Sequence, residues 1–138
     1  MNSEIENIIK EYEQPGDFNY ASVDDNVINA VENELKIVLP GQYKDYLKRY
    51  GHGGIAGIEI LGIGLTGKRI FAEYTIEYRK EGLPSNLVII ENVDEYFMCI
   101  NCDNEKIVSW DMSGYIKDEY ECFDEYLLSQ INDAVENL

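Results

Sequence analysis

The chain has 138 residues and carries 27 acidic residues against 11 Lys and Arg, so its formal net charge at pH 7 is −16. This length fits a single domain with one core, and the charge opposes close approach to nucleic-acid phosphates or to anionic lipid. No apolar run approaches the roughly 18 residues that span a bilayer, the start is acidic rather than a basic leader, and three cysteines give no disulfide framework. We therefore expect a cytoplasmic protein with no membrane partner and no direct nucleic-acid partner.

The chain begins with two predicted helices. The first lies within residues 1–22 and ends at the turn QPGD, residues 14–17. Its apolar residues recur at helical spacing and are Ile5, Ile8, Ile9 and Tyr12. In front of the second helix, Ser22 and Asp25 have the spacing of a capping box. The apolar face of this second helix consists of Val27, Ile28, Val31 and Leu35.

A third helix is predicted after Pro40, because proline is tolerated in the first helical turn. Gly51 can supply the left-handed residue that ends this helix. Its apolar residues at helical spacing are Tyr43, Tyr46, Leu47 and Tyr50. We expect this aromatic stripe to pack in the core, because its polar neighbours lie on the opposite side of the helix.

The middle of the chain is rich in glycine, with seven of the eleven glycines between Gly51 and Gly67. The short apolar run IEIL, residues 58–61, is typical of a strand between tight turns. The segment KRIFAEYTIEYRKEG, residues 68–82, predicts a helix that ends near its last glycine. A longer strand would also suit the spacing of its Ile and Tyr residues.

Three successive strands are predicted next: LVIIE at residues 87–91, EYFMCIN at 95–101 and KIVSWD at 106–111. Their short separations require antiparallel pairing, because a parallel connection needs a crossover of a dozen or more residues. A final helix carries apolar residues at near-helical spacing, namely Phe123, Leu127, Ile131 and Val135. The order of elements predicts a single-domain α+β fold, with a mostly antiparallel sheet flanked by N-terminal helices and a C-terminal helix.

The stretch GIGLTGKR, residues 62–69, matches the dinucleotide pattern G-x-G-x-x-G and most of a P-loop. The dinucleotide pattern normally opens a chain of parallel βαβ units, whereas here it follows helices and precedes antiparallel hairpins. The P-loop needs a Ser or Thr hydroxyl after its lysine, and Arg69 stands there. A nucleotide-binding enzyme is therefore the least favoured interpretation.

The cysteines and the single histidine also give weak patterns. Cys99 and Cys102 form C-x-x-C on a predicted strand, whereas redox pairs sit at helix N-termini. Adding Cys122 and His52 would give four zinc ligands, but no second paired spacing supports such a site. No nucleophile pairs with His52 by sequence spacing. We therefore assign no catalytic, cofactor-binding or metal-binding residues.

The segment VINAVENELKIVLPGQYKDYLKRYGHGGIAG, residues 27–57, resembles the SUKH superfamily, which includes the SMI/KNR-type regulator of yeast cell-wall synthesis and many bacterial immunity proteins. The match rests on Val31, Glu32, Leu35, Leu39, Pro40, Tyr43, Leu47 and residues 51–54. LGIG, TIEYRKEGLPSNLVII, VSWD and CFDEYLLSQI follow in the order of the family. The resemblance covers nearly the whole chain from about Val23 onward. Tyr50 and Cys122 depart from the Asn and Ser that family members often carry. The resemblance implies one SUKH-like domain over residues 1–138, whose glycines shape turns and do not bind phosphate.

The resemblance also implies a non-enzymatic protein-binding domain. Bacterial members are typically encoded beside polymorphic or contact-dependent toxins, often nucleases, and neutralise them by direct binding. An acidic chain suits a basic toxin domain, because opposite charges accelerate association. The leading prediction is therefore an immunity protein. The alternative is a regulatory scaffold of the SMI/KNR type without a cognate toxin, and the oligomeric state stays open.

The last third of the chain is the most acidic, since residues 91–138 hold 13 of the 27 acidic residues and 2 of the 11 basic ones. We therefore place the partner-binding surface on its strands and loops. The candidate carboxylates are Asp94, Glu95, Asp103, Glu105, Asp111, Asp118, Glu119 and Glu121. The candidate aromatic anchors, of a type enriched in binding hot spots, are Tyr96, Tyr115 and Tyr120.

Overall fold

A computed structural model describes all residues, 1–138, and contains five helices and four strands. In chain order these are α1 (Ser3–Tyr12), α2 (Asp25–Leu35), α3 (Gly41–Tyr50), α4 (Ile70–Arg79), β1 (Leu87–Asn92), β2 (Phe97–Asn101), β3 (Ile107–Trp110), β4 (Ile116–Tyr120) and α5 (Phe123–Glu136). This arrangement confirms the predicted α+β class. None of the helices combines the length and the apolar character needed to cross a membrane.

The four strands form an antiparallel meander in the order β1-β2-β3-β4. Met98, Ser109 and Lys117 are cross-strand neighbours and share one face of the sheet. Phe97 and Trp110 pair on the opposite face. The sequence predicted β1, β2 and β3 but not β4. That strand is exposed along almost its whole length, so it lacks the alternating apolar pattern that identifies a half-buried strand.

Helices cover both faces of the sheet. On one face, the ring of Tyr78 from α4 lies 4.5 Å from Phe97 and 6.3 Å from Trp110. On the other side, the hydroxyl of Tyr126 from α5 donates to the carboxylate of Glu91 in β1. Phe97, Trp110 and Tyr126 belong to a single hydrophobic core of 35 buried residues, and Tyr78 is partly buried against it. One continuous core is the mark of one domain.

The second helix is capped by a different residue from the one predicted. The capping box of Ser22 and Asp25 is wrong, because α2 begins at Asp25 and its N-cap is Asp24. The side chain of Asp24 accepts from the N–H of Val27 at 3.0 Å. A cap must immediately precede the first helical residue to reach this N–H, and Ser22 lies too far upstream.

The third helix agrees with its prediction at both ends. Pro40 is its N-cap, and Gly51 follows its last residue with φ of 75°. The aromatic stripe is core, as predicted, and Tyr43 and Tyr46 are fully buried. Their hydroxyls donate to the carbonyls of Leu61 at 2.7 Å and of Gly53 at 2.9 Å, so both tyrosines tie α3 to the glycine-rich turns.

In the middle of the chain, the structure contradicts the strand predicted at residues 58–61 and decides between helix and strand for the segment that follows. Residues 58–61 do not form a strand, because their only sheet-like pairing is a single bridge between Ile60 and Gly53. Turns on both sides leave too short an extended run for a ladder, although Leu61 still donates its N–H to the carbonyl of Ile90 at 2.8 Å. The segment that follows is the predicted helix, α4, and the longer-strand alternative is wrong.

Candidate functional site

A surface groove of ≈ 360 Å³ lies on the sheet face that carries Ser109 and Lys117. Its lining is formed by Glu95, Tyr96, Ser109, Trp110, Asp111, Tyr115, Lys117 and Glu119. We call these eight residues the acidic groove. Five of them, all except Ser109, Trp110 and Lys117, are candidates from the sequence. The turns β1–β2 and β3–β4 meet here because both lie at the same end of the meander.

The β3–β4 turn fixes one wall of the acidic groove. The carboxylate of Asp111 accepts from the N–H of Ser113 at 2.9 Å and also from its hydroxyl. These bonds lower the pKa of the Asp111 carboxyl below its ordinary value, so it is ionised at neutral pH. Gly114 supplies the φ of 90° that the turn requires. The turn thereby presents Tyr115 to solvent.

A β-bulge positions Glu119. Ile107 pairs with Tyr120 while Val108 pairs with Asp118, so Glu119 is an extra residue without a cross-strand partner. Such a bulge re-aims a side chain. Here the carboxylate of Glu119 accepts from the hydroxyl of Ser109 at 3.0 Å and therefore lies on the face of the acidic groove.

The charge of the acidic groove is not neutralised within the chain. Its three carboxylates, from Glu95, Asp111 and Glu119, make no ion pair, and only Lys117 opposes them. The one ion pair in residues 91–138 joins Lys106 and Asp118 at 3.5 Å. Three carboxylates that share one face favour a cationic group from outside the chain.

Exposed apolar side chains surround these carboxylates. Tyr115 is 60% exposed and Tyr96 is 40% exposed. Met112 and Ile116, on the β3–β4 turn and at the start of β4, are also exposed. These four are half of the eight large hydrophobic side chains that the whole molecule exposes. A concentration of aromatic and apolar surface beside charge is typical of protein-binding sites.

Three of the remaining candidates lie near the acidic groove but do not line it. Asp94 is in the β1–β2 turn next to Glu95, with φ of 64°. Asp118 is held by Lys106, and it pairs with Val108 on the opposite face from Lys117. Tyr120 is half-buried, and its ring lies 5.5 Å from that of Tyr126, which is a packing contact with α5.

The last three candidates lie at the other end of the sheet. Asp103 and Glu105 are in the β2–β3 turn, and successive turns of a meander alternate between its two ends. The carboxylate of Asp103 accepts from the side chain of Asn86 at 3.2 Å. Glu121 follows β4, whose last residue pairs with the first residue of β3 next to this turn. The structure thus separates these three residues from the acidic groove.

Sequence reasoning missed Ser109, Trp110 and Lys117 as groove residues. Ser109 is the one polar residue of the otherwise apolar strand IVSW, and this was a usable signal for a position facing a polar site. Lys117 belongs to β4, so no prediction placed it beside Ser109.

The glycine stretch at residues 62–69 forms a closed turn. The N–H of Gly62 donates to Nδ1 of His52 at 3.0 Å, that of Gly64 to the carbonyl of Lys68 at 2.7 Å, and that of Gly67 to the carbonyl of Gly64 at 3.0 Å. A phosphate-binding loop needs backbone N–H groups that point at the ligand. All three glycine N–H groups are hydrogen-bonded within the chain, those of Gly64 and Gly67 inside the turn and that of Gly62 to His52.

Burial makes the thiols of the C-x-x-C pair, Cys99 and Cys102, less acidic. Burial raises the pKa of the Cys102 thiol to about 12, and it also raises the pKa of Cys99 in β2. Both are therefore protonated at neutral pH, and a thiol is a poor nucleophile and metal ligand. No three His, Cys, Asp or Glu side chains converge as a group that could hold a metal ion.

The fold and the acidic groove together define a small α+β protein with a meander sheet and one acidic, aromatic-bearing surface. The model of the SUKH_5 family, "SMI1-KNR4 cell-wall", matches residues 2–132, and the chain belongs to this family. The predicted SUKH membership is confirmed. Proteins of this family generally bind protein partners and are generally non-enzymatic.

A solved structure supports the same architecture. The crystal structure of a protein from Pseudomonas syringae pv. tomato superposes with a TM-score of 0.71 over 88% of this chain and 91% of that chain. The two sequences are 18% identical, so this likeness shows the fold alone.

Proposed function

We propose that the chain is a cytoplasmic immunity protein that neutralises a basic toxin domain by binding it through the acidic groove. The observation that carries this proposal is the convergence of Glu95, Asp111 and Glu119, none of them ion-paired, with two exposed tyrosines on one face. Membership of a family that binds protein partners supports the same reading.

Charge gives the expected class of partner. The chain has a net charge of −16, and the three carboxylates of the acidic groove make no ion pair and share the groove with a single cation, Lys117. A toxin that handles nucleic acid presents a basic face to the phosphates, and an acidic binder meets that face with accelerated association. Binding there would also cover the surface that the toxin uses for its substrate.

The tyrosines would supply affinity where the carboxylates supply steering. Tyr96 and Tyr115 are rigid amphipathic side chains whose rings are open to solvent beside the acidic groove. Buried aromatic anchors carry much of the binding energy at protein interfaces, whereas exposed charges act mainly on the association rate. The proposal therefore expects both kinds of residue to contribute.

A regulatory scaffold is the second candidate, and the cell-wall description of the matching family favours it. A scaffold would hold several partners weakly. An immunity protein would hold one partner tightly and would suppress its toxicity.

Capture from a lysate of the host tests the proposal. The tagged protein is incubated at about 50 mM and about 200 mM salt, and bound proteins are identified by mass spectrometry. We expect one basic protein that is retained at the higher salt and that stops growth when it is expressed alone. A spread of unrelated proteins that all wash off would contradict the immunity role and favour the scaffold.

A matched pair of variants locates the interaction. Glu95→Lys with Glu119→Lys reverses two exposed charges of the acidic groove, and Glu11→Lys with Glu81→Lys makes the same change in net charge at exposed positions on α1 and after α4. Neither control side chain makes an ion pair or a hydrogen bond within the chain. We expect the first variant to lose the captured protein and the second to keep it.

A further inference from the structure

The two edges of the sheet differ in whether their outward backbone groups are hydrogen-bonded. At the β1 edge, the N–H of Ile89 donates to the hydroxyl of Thr75 at 3.0 Å, and the carbonyl of Ile90 accepts from Leu61 at 2.8 Å. At the β4 edge, no helix, loop or side chain hydrogen-bonds to the outward backbone of Ile116 to Tyr120. The sheet therefore has one closed edge and one open edge.

The hydrogen-bond pattern tells which groups of β4 point outward. Asp111 donates its N–H to the carbonyl of Tyr115, so this pair is hydrogen-bonded. In an antiparallel ladder, hydrogen-bonded and non-hydrogen-bonded pairs alternate. The pair of Ser109 and Lys117 is then hydrogen-bonded as well, and the N–H and C=O groups of Ile116 and Asp118 point away from β3. They form a template for one more strand.

The open edge adjoins the acidic groove. Lys117 and Glu119 project from β4 onto the groove face, and Glu95 lies on the same surface. An extended segment beside β4 would place alternate side chains on this face. A cationic side chain opposite Glu119 would meet a carboxylate that makes no ion pair within the chain, two residues along β4 from the cation Lys117.

Charge disfavours a second copy of the chain as the occupant of this edge. Antiparallel self-pairing centred on Asp118 would place the two Asp118 side chains directly opposite each other, and like charges in that position are destabilising. It would also join two chains that each carry −16.

We infer that β4 accepts an extended basic segment of the partner as a fifth strand, with Lys or Arg side chains of that segment directed onto the acidic groove. The inference rests on the proposed function in taking a basic protein as the partner. Main-chain hydrogen bonds to Ile116 and Asp118 would give affinity, and the carboxylates would select the charge of the segment.

A synthetic peptide tests the strand addition without the toxin. The probe is a capped nine-residue peptide that alternates arginine and valine, and its control is the same peptide with every backbone amide N-methylated. Amide hydrogen exchange is followed by NMR at saturating peptide. We expect the amides of Ile116 and Asp118 to exchange at least tenfold more slowly with the probe, and to be unaffected by the control.

Three results would overturn the inference. The probe could fail to bind, it could bind no better than its N-methylated control, or the Ile116 and Asp118 amides could become protected at high protein concentration without peptide. The last result would identify a second copy as the occupant. A host without a toxic basic partner would remove the proposed function while leaving the exchange result unchanged, so the two failures are distinguishable.

Two variants at position 118 separate the contribution of the backbone N–H to peptide binding from that of the side-chain carboxylate. Asp118→Pro and Asp118→Ala both remove the carboxylate, but only proline removes the outward N–H, which an edge strand can lose without breaking its ladder. We expect the probe to bind Asp118→Pro at least tenfold more weakly than Asp118→Ala. Equal affinity would contradict a main-chain contact at this position.

Discussion

At the scale of single residues, the side chains behind the family resemblance hold the fold together. Glu32 accepts from the N–H of Leu39 at 2.7 Å and pairs with Lys44 at 3.3 Å, so it joins α2 to the start of α3. Tyr43 and Tyr46 bond to carbonyls of the glycine-rich segment. Tyr43 and Tyr46 lie in the core and Glu32 is partly buried beside it, whereas the acidic groove is on the surface. The residues that identify the family are therefore not those proposed to bind its partner.

Replacing Glu32 tests its structural role. Glu32→Ala leaves the N–H of the buried Leu39 without its acceptor, which should lower the free energy of unfolding by about 1–3 kcal/mol. Glu11→Ala, at an exposed position without side-chain partners, should change it by less than about 0.5 kcal/mol. Urea unfolding of both variants provides the measurement. Equal stability of the two variants would show that Glu32 does not bridge the helices.

The glycines of residues 62–69 differ sharply in what an added methyl group would meet. A Cβ at Gly62 would lie 1.8 Å from the carbonyl oxygen of Gly51, whereas a Cβ at Gly64 would meet nothing closer than 3.5 Å. We expect Gly62→Ala to cost more than about 3 kcal/mol or to prevent folding, and Gly64→Ala to stay within about 1 kcal/mol. Thermal unfolding distinguishes the two. Similar losses of stability for both variants would mean that the close approach of the Gly51 carbonyl does not require glycine at position 62.

At the scale of secondary structure, the helices and strands with strong apolar patterns were the ones that the sequence predicted correctly. Helices α1, α3 and α5 follow from buried residues at helical spacing, and β1 and β2 follow from apolar runs. One predicted strand is absent and one strand was not predicted, both for the same physical reason. Residues 58–61 are apolar but make only one bridge, and β4 is a strand without apolar alternation, so pairing with neighbours decides both.

The acidic groove was predictable only in part, because its composition depends on how the strands pair. Composition pointed to the acidic last third, and five of the eleven candidates line the groove. Which carboxylates share a face depends on the register of β3 with β4 and on the bulge at Glu119. Neither feature can be read from the order of Lys117, Asp118 and Glu119, because a shift of one residue exchanges the two faces.

The contact between β1 and α5 gives a pH-dependent prediction. Burial raises the pKa of Glu91, although the hydroxyl of Tyr126 partly opposes this by donating to the carboxylate. The folded state therefore binds this proton more tightly than the unfolded state. The corresponding stabilisation is present at acidic pH and is lost as the pH rises through the pKa of Glu91 in the folded protein.

Glu91→Gln isolates this effect, because glutamine stays neutral and its oxygen still accepts from Tyr126. The free energy of unfolding of the variant minus that of the original protein should grow as the pH rises from about 4 to about 7.5. Urea titrations of both proteins across this range give the difference, in which all shared groups cancel. A difference that shrinks with rising pH would contradict the burial of Glu91.

At the scale of the whole molecule, the charge is both large and uneven. Most of the chain's ion pairs lie among the helices of the first 80 residues, whereas residues 91–138 contain one. The acidic end of the sheet thus combines unpaired carboxylates, exposed aromatic rings and an open strand edge. The three features lie next to one another, and each favours an extended, basic protein segment.

The most direct test of this account is a growth assay. The basic protein captured from the host is expressed together with the original chain, with Glu95→Lys and Glu119→Lys, or with Glu11→Lys and Glu81→Lys, and surviving colonies are counted. We expect rescue by the original chain and by the control variant, and loss of rescue, by at least a hundredfold in colonies, for the groove variant at equal levels of folded protein. Equal rescue by all three would place the neutralising surface elsewhere and contradict the role of the acidic groove.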